Sequence, residues 1–421
     1  MALKKKPVTG MKDILPAEMQ VRGYVLGQIR ETYKSFGFSE LETPSVEHIE
    51  NLLSKQGGDN EKLIFKVLKR GEKLNLASAE NENDLADSGL RYDLTLPLSR
   101  YYANNAAVLP SPFKALQIGN VWRADRPQKG RFRQFMQCDI DILGDATNQA
   151  EIELITATTS ALSKICPENR FEVRINDRRF LRAMALYSGF PEEEIEKVFI
   201  IVDKMDKIGA QGVRDELCEN GFRAESADQY LSLMSGVRND AEGVRRMGEK
   251  LAGFLEDGAA GNLAQIMDAV TEISGKSFGL IFDPTLVRGM GYYTGTIFEV
   301  SMEGLGVSVA GGGRYDRMIG KFTGMDTPAC GFSIGFERIV TILMDSGFIV
   351  PSKSAKEAWL FEKNMDAGRL SAIMKEAMAA RAEGKTILVA QMNKNKKFQK
   401  EQLVKEGYSE WKEFYREELK R

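Results

Sequence analysis

The sequence predicts an α+β protein in which an antiparallel sheet carries a helical insertion and is followed by a small α/β unit. Two strand-like runs, Lys114–Arg123 and Phe132–Leu143, flank a polar turn and so predict an antiparallel hairpin. From about residue 178 to 273, helical segments follow one another without a clear strand. Beyond residue 357, strand-like and helical segments alternate, which is typical of an α/β unit.

The segments around the hairpin predict further elements of this core. Apolar residues at helical spacing predict a helix over Ala17–Phe36, which Gly37 ends, and an extended run over Ser39–Pro44 follows. After the hairpin, an amphipathic helix is expected over Gln149–Ile165 and a strand over Phe171–Ile175.

Strands are expected to resume after the helical insertion. The patterns predict strands over Phe278–Phe282, Leu286–Val300 and Val307–Ala310, and Phe332–Ile342 leads into a helix. We therefore place the first domain at residues 1–347.

A polar linker over residues 348–356 separates this domain from a second one at residues 357–421. The elements expected in the second domain are a strand at Ala358–Phe361, a helix at Met365–Ala382, a strand at Thr386–Ala390, a helix at Lys396–Lys405 and a helical segment at Ser409–Tyr415.

Composition narrows the class of protein. Of 421 residues, 43% are hydrophobic and 28% are charged, as in ordinary globular proteins. The longest apolar run, Val198–Val202, is far shorter than the roughly 20 residues that cross a bilayer, so we expect a soluble, cytoplasmic protein. Because 58 basic residues balance 60 acidic ones, any contact with nucleic acid must come from local patches.

The residue inventory also limits the chemistry. His48 is the only histidine, and the four cysteines form no CxxC pair. A Ser-His-Asp triad away from His48, an HExxH zinc site and a histidine-rich metal cage are therefore excluded. The remaining groups favour charge stabilisation and substrate positioning over nucleophilic catalysis.

The second strand of the hairpin alternates between apolar and polar residues. Its polar face includes Gln137, Asp139 and Asp141, although strands seldom favour aspartate. The face is either solvated or directed at a polar ligand, and the pattern alone leaves both interpretations open.

A glycine-rich region provides a second candidate site. Gly289, Gly291 and Gly295 interrupt an otherwise strand-like run, and interior glycines often mark the close approach of a ligand. The triplet Gly311–Gly313 adds to this pattern. Neither a GxGxxG fingerprint nor a P-loop is present, so Rossmann and P-loop nucleotide sites are unsupported.

Three segments resemble the signature motifs of class II aminoacyl-tRNA synthetases. The helix and extended run ending at Pro44 resemble motif 1, and Gly331–Arg338 resembles motif 3. The hairpin strands at Val121–Arg123 and Arg131–Phe135 resemble motif 2.

Two further segments point to one specificity within that class. Leu90–Thr95 and Leu286–Gly295 resemble the histidine-binding motifs of the histidyl-tRNA synthetase family. The resemblance covers roughly residues 7 to 345, with five motifs in the family's order. It implies a class II antiparallel-sheet catalytic core that activates L-histidine with ATP and Mg²⁺, transfers it to tRNA(His), and forms a homodimer.

The resemblance also implies roles for individual residues. Arg288 and Arg123 would be catalytic, and no metal-ligating side chain is assigned. The implied histidine-binding residues are Asp93, Leu94, Thr95, Arg123, Gln137, Asp141, Arg288, Tyr292 and Tyr293. The implied ATP-binding residues are Arg123, Arg131 and Arg338.

The second domain departs from the family pattern. About 65 residues follow Glu357, so we expect a shortened form of the anticodon-binding domain. This shortening favours an alternative, the histidine-sensing regulatory subunit of ATP phosphoribosyltransferase, which is catalytically inactive. The implied ATP-binding arginines favour the enzyme instead. A synthetase of another specificity is a further alternative. The Tyr292–Tyr293 stretch and the pair of Asp93 with Thr95 argue against it.

Overall fold

The structure is a computed structural model that describes residues 3–53, 60–77, 79–128, 130–275, 277–287, 291–303, 307–351 and 355–416. Two compact units make up the fold. The first comprises Met1–Lys12 and Val25–Thr341, and the second comprises Asp13–Tyr24 and Ile342–Arg421. Within the described ranges, no helix has the length and apolar character needed to span a membrane.

Helices occur throughout the chain, and short 3₁₀ turns occupy Asn60–Leu63, Gly71–Lys73, Glu82–Leu85 and Glu192–Glu194. The α-helices are α1 (Pro16–Ser35), α2 (Ile49–Leu52), α3 (Thr95–Asn105), α4 (Gln149–Ile165), α5 (Arg178–Tyr187), α6 (Ile195–Val202), α7 (Met205–Glu219), α8 (Ala224–Met234), α9 (Ala241–Lys250), α10 (Ala259–Ser274), α11 (Gly320–Thr323), α12 (Phe336–Asp345), α13 (Ala367–Ala382) and α14 (Lys396–Lys405).

The strands are β1 (Ser39–Leu41), β2 (Val46–His48), β3 (Lys66–Leu68), β4 (Ala86–Leu90), β5 (Phe113–Trp122), β6 (Gln134–Leu143), β7 (Phe171–Asp177), β8 (Gly279–Phe282), β9 (Thr296–Met302), β10 (Val307–Arg314), β11 (Ala329–Ile334), β12 (Lys356–Phe361), β13 (Thr386–Gln391) and β14 (Tyr408–Phe414).

A large sheet forms the centre of the first unit. Among the described residues it contains eight strands in the order β1-β5-β6-β11-β10-β9-β7-β8. Its inner pairs are antiparallel, whereas β1 with β5 and β7 with β8 run parallel. The predicted hairpin is confirmed, because β5 and β6 pair continuously from Phe113 opposite Leu143 to Trp122 opposite Gln134.

Helix α4 covers this sheet, as its sequence pattern predicts. Leu154, Ile155, Ala161, Leu162 and Ile165 are completely buried on its apolar face. Burying one such aliphatic side chain contributes roughly 1.5–3 kcal/mol, so this face anchors the sheet. The predicted helical insertion is also confirmed, since α5–α10 occupy the chain between β7 and β8.

A buried ion pair joins α4 to β10. Arg314 donates hydrogen bonds of 2.7 Å to both carboxylate oxygens of Glu151, whose side chain is fully buried. The same guanidinium also donates to the carbonyl oxygens of Asp145 and Thr147. This network fixes the end of β10 from which the chain continues into Tyr315.

The second unit contains a three-stranded parallel sheet in the order β13-β12-β14. Trp359, Ile373 and Ile387 form its buried core, and Phe414 packs against them. The sequence-based assignment of Ser409–Tyr415 as helical is therefore wrong. Gly407 adopts a φ of +88° after α14, and the tryptophan and phenylalanine that follow favour a strand.

The sequence pattern also predicted one strand of the first unit incorrectly. Leu286–Val300 does not form one strand, because β9 begins only at Thr296. The described residues before Thr296 lie in turns and loops, where Gly291 and Gly295 weaken strand formation.

We predict that Glu151→Ala destabilises the protein strongly, because it removes the fully buried carboxylate that pairs with Arg314 and leaves only the partly exposed Asp316, 3.3 Å away. The expected loss in free energy of unfolding is about 3–5 kcal/mol. Chemical denaturation followed by circular dichroism measures it. The control is Asp268→Ala, which removes an exposed partner of Arg245 and should cost less than about 1 kcal/mol. Equal losses in the two variants would contradict a structural role for the buried pair.

Candidate active site

A cavity of about 630 Å³ opens on the central sheet of the first unit. Strands β6, β10 and β11 contribute its floor, and the segment after β4 and the turn of the β5–β6 hairpin contribute further residues. The lining includes Asp93, Thr95, Arg123, Arg131, Gln137, Asp139, Asp141, Tyr292, Tyr293, Gly311, Gly312, Gly313, Tyr315, Ser333, Glu337 and Arg338.

The structure thus brings together nine of the residues singled out from the sequence: Asp93, Thr95, Arg123, Arg131, Gln137, Asp141, Tyr292, Tyr293 and Arg338. Leu94 does not line the cavity. Its side chain is buried, and its carbonyl oxygen accepts a hydrogen bond from Gln117. Arg288, for which a catalytic role is expected, lies outside the described residues.

Asp93 and Thr95 are two positions apart, which in a strand would place both side chains on one face, and this expectation from the sequence is wrong. The two residues do not share a strand face, because β4 ends at Leu90 and Thr95 begins helix α3. Asp93 Oδ1 accepts a 3.1 Å hydrogen bond from the N–H of Leu96 and so satisfies a donor in the first turn of the helix. The helix start, and not strand alternation, therefore directs both residues to the cavity.

The polar face of β6 is buried in the cavity wall. Asp139 and Asp141 are only 4% and 3% exposed, which excludes the solvated sheet face left open by the sequence pattern. Gln137 lies on the same face, two residues before Asp139. Three polar side chains in alternate positions thus face the same space.

Several oxygens of this wall lack hydrogen-bond donors. Asp93 Oδ2, Gln137 Oε1, Asp139 Oδ1 and Asp141 Oδ2 are buried, and none has a partner within the described part of the chain. An unsatisfied buried polar group costs about 1–3 kcal/mol, and more if it is charged. Such a concentration of acceptors is suited to a ligand with several N–H donors and positive charge.

Burial also raises the pKa values of the carboxyl groups in this wall. Burial raises the pKa of Asp141 to about 7, although a hydrogen bond from Tyr315 acts in the opposite direction. Burial, together with the neighbouring charge of Asp141, raises the pKa of Asp139 well above its usual range. Burial also raises the pKa of Asp93. A cationic ligand would favour the ionised form of all three.

Tyr315 holds Asp141 in place, and sequence reasoning missed it. Its O–H donates a 2.6 Å hydrogen bond to Asp141 Oδ1. Gly331 lies opposite Asp141 in the β6–β11 register, and a Cβ there would lie 2.0 Å from the same oxygen. Only glycine at this position leaves room for the carboxylate. The signal in the sequence was the position of Tyr315 directly after the strand that contains the glycine triplet.

Aromatic rings border the carboxylates. The ring centroids of Tyr292 and Tyr293 lie 4.7 Å apart, and the ring of Tyr292 lies 6.0 Å from that of Tyr315 in an edge-to-face arrangement. This packing supplies apolar ring surface beside buried acceptors. It suits a planar heterocycle that carries N–H groups.

The arginines of the cavity are held by backbone and ring contacts. Arg123 Nε donates a 2.8 Å hydrogen bond to the carbonyl oxygen of Tyr92, and its guanidinium lies 5.2 Å from the ring centroid of Phe135. Arg338 donates to the carbonyl oxygen of Ser308. These contacts orient cations that can bind a polyanion.

Glu337, next to Arg338 in the chain, accepts a 3.1 Å hydrogen bond from the N–H of Met136. This bond ties helix α12 to β6, and the sequence did not indicate it.

Within the described ranges, no group of three His, Cys, Asp or Glu side chains is arranged to hold a metal ion.

Comparison with known proteins agrees with this fold. The family model described as Histidyl-tRNA synthetase matches residues 10–339. A histidine–tRNA ligase from Leifsonia xyli subsp. xyli is 44% identical over 394 residues, which is 90% of this chain and 89% of that protein. A probable histidine–tRNA ligase from Tropheryma whipplei is 41% identical over 83% of each chain.

Two solved structures resemble the whole chain. Histidyl-tRNA synthetase from Nostoc sp. PCC 7120 superposes with a TM-score of 0.78 at 25% identity, over 96% of this chain and 90% of that one. An ATP phosphoribosyltransferase regulatory subunit/histidyl-tRNA synthetase from Bacillus halodurans also gives 0.78, over 99% of both chains. At 22% identity, the second likeness shows the fold alone.

Fold and site together define a class II aminoacyl-tRNA synthetase with an α+β catalytic core. The chain belongs to the histidyl-tRNA synthetase family. It is therefore an enzyme, and ATP is a substrate of its class.

We predict that Asp141→Asn stabilises the ligand-free protein in a pH-dependent way. The folded-state pKa of about 7 exceeds the unfolded value of 3.8, so stability from this group is present at low pH and is lost as the pH rises toward 7. The stability gained by the variant should therefore grow by about 2–3 kcal/mol between pH 5 and pH 8. Urea denaturation at both pH values measures it, with the exposed Asp257→Asn as control. A gain that does not depend on pH would contradict the raised pKa.

Proposed function

We propose that the cavity activates L-histidine with ATP to form histidyl-adenylate, and that the chain then transfers the histidyl group to the 3′ end of tRNA(His). The observation that carries this proposal is the pairing of buried, donor-free oxygens with arginines in one cavity. Histidine brings an ammonium group and ring N–H donors to the first set, whereas ATP brings a polyanion to the second.

The acceptors along the cavity wall match the donors of histidine. Asp93 and Thr95, at the start of helix α3, accept hydrogen bonds from the α-ammonium group of histidine. Gln137 lies near the same end of the substrate. Asp141, which Tyr315 orients, accepts from the imidazole N–H. Such a charge-assisted contact rejects isosteres that lack the N–H group by a large factor, on the order of 10⁴.

Tyr292 and Tyr293 enclose the imidazole ring. Their packing beside Tyr315 supplies the apolar surface, and the substrate lies along β6 between Gln137 and Asp141. A strand rises about 3.4 Å per residue, so four residues separate these two side chains by roughly 13 Å. An amino acid lying along the strand reaches both ends.

The arginines bind the phosphates. Arg123 contacts the α-phosphate and the carboxylate of histidine, and Arg131 and Arg338 contact the triphosphate tail. Arg288 assists at the reacting phosphate, and its role rests on the sequence resemblance. Fixed positive charge at developing negative charge is a large source of catalysis, and losing one such group costs roughly 3 kcal/mol.

The chemistry requires no protein nucleophile. The carboxylate oxygen of histidine attacks the α-phosphorus of ATP, a new O–P bond forms, and the bond to pyrophosphate breaks as that group leaves. The enzyme holds two anions in line and neutralises the charge that grows on the phosphate. This agrees with a chain that contains one histidine, His48, outside the cavity lining.

Mg²⁺ is proposed to accompany ATP. The ion prefers phosphate oxygens, water and one or two carboxylates over an all-protein cage. That preference agrees with the donor set of the described residues, in which no three-residue metal cluster occurs. When bound, Mg²⁺ would supply charge neutralisation on the triphosphate, and no protein ligand is assigned to it.

The remaining parts of the chain complete this proposal. We propose that residues 1–347 act as the catalytic domain, with the helical insertion at about 178–273, and that residues 357–421 act as a shortened C-terminal domain that contacts tRNA. The compact units place the boundary after Thr341 and assign Asp13–Tyr24 to the second unit. Lys396, Lys397 and Lys400 lie together on α14, where Lys396 and Lys400 also pair with Glu413, and this cluster is the proposed contact for RNA phosphate. Charging of tRNA also favours a cytoplasmic location.

Histidine-dependent exchange of pyrophosphate into ATP tests the proposed function. We expect exchange with purified protein, ATP, Mg²⁺ and L-histidine, and background rates when histidine is omitted or replaced by another amino acid. Binding of histidine without any exchange would contradict catalysis and indicate a sensor.

Asp141→Asn should weaken histidine binding much more than ATP binding, because the amide loses the charge that assists the imidazole contact. The expected loss for histidine is about 1.5–3 kcal/mol. Titration calorimetry with each ligand separately measures it, and Asp257→Asn is the control. Equal weakening for both ligands, or for neither, would show that the ring is recognised elsewhere.

We further propose that the protein is a symmetric homodimer, because motif 1 in this class pairs with its own copy across a two-fold axis. Light scattering across a range of protein concentrations should give twice the mass of one chain. A mass equal to one chain at every concentration would contradict this assembly.

A further inference from the structure

The side chain of Gln137 contacts two neighbouring groups of the cavity wall, to which the proposed function assigns no contact with the substrate. Its Nε2 lies 3.4 Å from Asp139 Oδ2 and 3.3 Å from Ser333 Oγ. Asp139 follows on the same face of β6, and Ser333 lies directly opposite Asp139 on β11. Both contacts therefore come from a rigid part of the central sheet.

Gln137 Nε2 is the donor to both neighbouring side chains. Ser333 Oγ accepts from this nitrogen, and so does Asp139 Oδ2. The two amide hydrogens of Gln137 are thereby directed at Asp139 and Ser333. Gln137 Oε1 is left buried, without a donor among the described residues, in the wall of the cavity.

We propose that Asp139 and Ser333 are positioning residues that fix the amide of Gln137 with its oxygen toward the cavity, where that oxygen accepts an N–H from the α-ammonium of histidine. The inference rests on the proposed function and adds a determinant of ligand recognition to it. Neither residue needs to touch the substrate.

The alternative orientation of the amide is unfavourable for two reasons. A flipped amide would place Gln137 Oε1 against the carboxyl oxygen of Asp139, and two acceptors without a hydrogen repel each other. It would also direct the NH₂ group at the ammonium, which offers only donors. Asp139 therefore selects the orientation that binds a cation.

Asparagine should replace Asp139 well. The side-chain carbonyl of asparagine still accepts from Gln137 Nε2, whereas alanine removes the acceptor and frees the amide to rotate. Asparagine is also close to aspartate in size and shape. Direct contact of an ionised Asp139 with the ammonium predicts the opposite result for asparagine.

The test compares two ligands that differ only in the amino group. L-Histidinol keeps the ammonium and the imidazole, and 3-(imidazol-4-yl)propan-1-ol lacks the ammonium. Titration calorimetry of both ligands is carried out on the full-length parent and on Asp139→Ala, Asp139→Asn, Gln137→Ala and the Gln137→Ala/Asp139→Ala double variant. Circular dichroism and thermal unfolding check that each variant is folded.

We expect Asp139→Ala to weaken histidinol binding about tenfold and to change binding of the deamino ligand less than about twofold. Asp139→Asn should stay within about threefold of the parent for both ligands. The double variant should bind histidinol no more weakly than Gln137→Ala, because residues that act through one another are not additive.

Three results would overturn the inference. Equal weakening of both ligands by Asp139→Ala would indicate a structural role, and an unchanged affinity would indicate no role. A loss in Asp139→Asn as large as in Asp139→Ala would indicate direct charge contact, as would additive losses in the double variant.

The outcome is separable from failure of the proposed function. Calorimetry requires neither ATP nor catalysis, so a parent that binds histidinol but shows no pyrophosphate exchange would reject adenylate formation and leave the positioning role standing. A parent that exchanges pyrophosphate with histidine but binds histidinol no more tightly than the deamino ligand would reject the positioning role and leave the proposed function standing.

Discussion

The burial of three carboxyl groups in one cavity is the constraint on which the rest of the site depends. Asp93, Asp139 and Asp141 each keep an oxygen that no described donor satisfies, and burial raises the pKa of all three. In the ligand-free protein this arrangement costs stability. It persists because the central sheet and helix α3 are stabilised elsewhere, by apolar burial and by the pair of Arg314 with Glu151.

The surrounding structure makes that concentration of acceptors selective. Gly331 leaves space for the carboxylate that Tyr315 orients, and the glycine triplet of β10 lines the same cavity. Arginines in the same cavity provide the opposite charge. A substrate that joins a cationic end to an anionic cosubstrate fits this division, which is the arrangement that histidine activation requires.

Local sequence patterns predicted most elements of the fold. The period-two alternation of β6 placed Gln137 and Asp141 on one face, and the apolar spacing of α4 gave its bounds from Gln149 to Ile165. The hydrogen bond between Tyr315 and Asp141 could not be predicted, because it joins residues 174 positions apart through strand order. Local reasoning also failed at Thr95, where the chain changes from strand to helix within five residues of β4.

The C-terminal unit contains a strand that local sequence patterns also failed to predict. Ser409–Tyr415 has no strong alternation, and its strand forms because β12 offers a partner.

For the site, the central claim concerns which acceptors of the cavity bind which donors of histidine. A crystal structure of the protein with L-histidine tests it most directly. We expect the α-nitrogen within about 3.2 Å of Gln137 Oε1 and a ring nitrogen within the same distance of Asp141 Oδ2. A bound histidine whose ring nitrogens lie away from Asp141 would contradict the account.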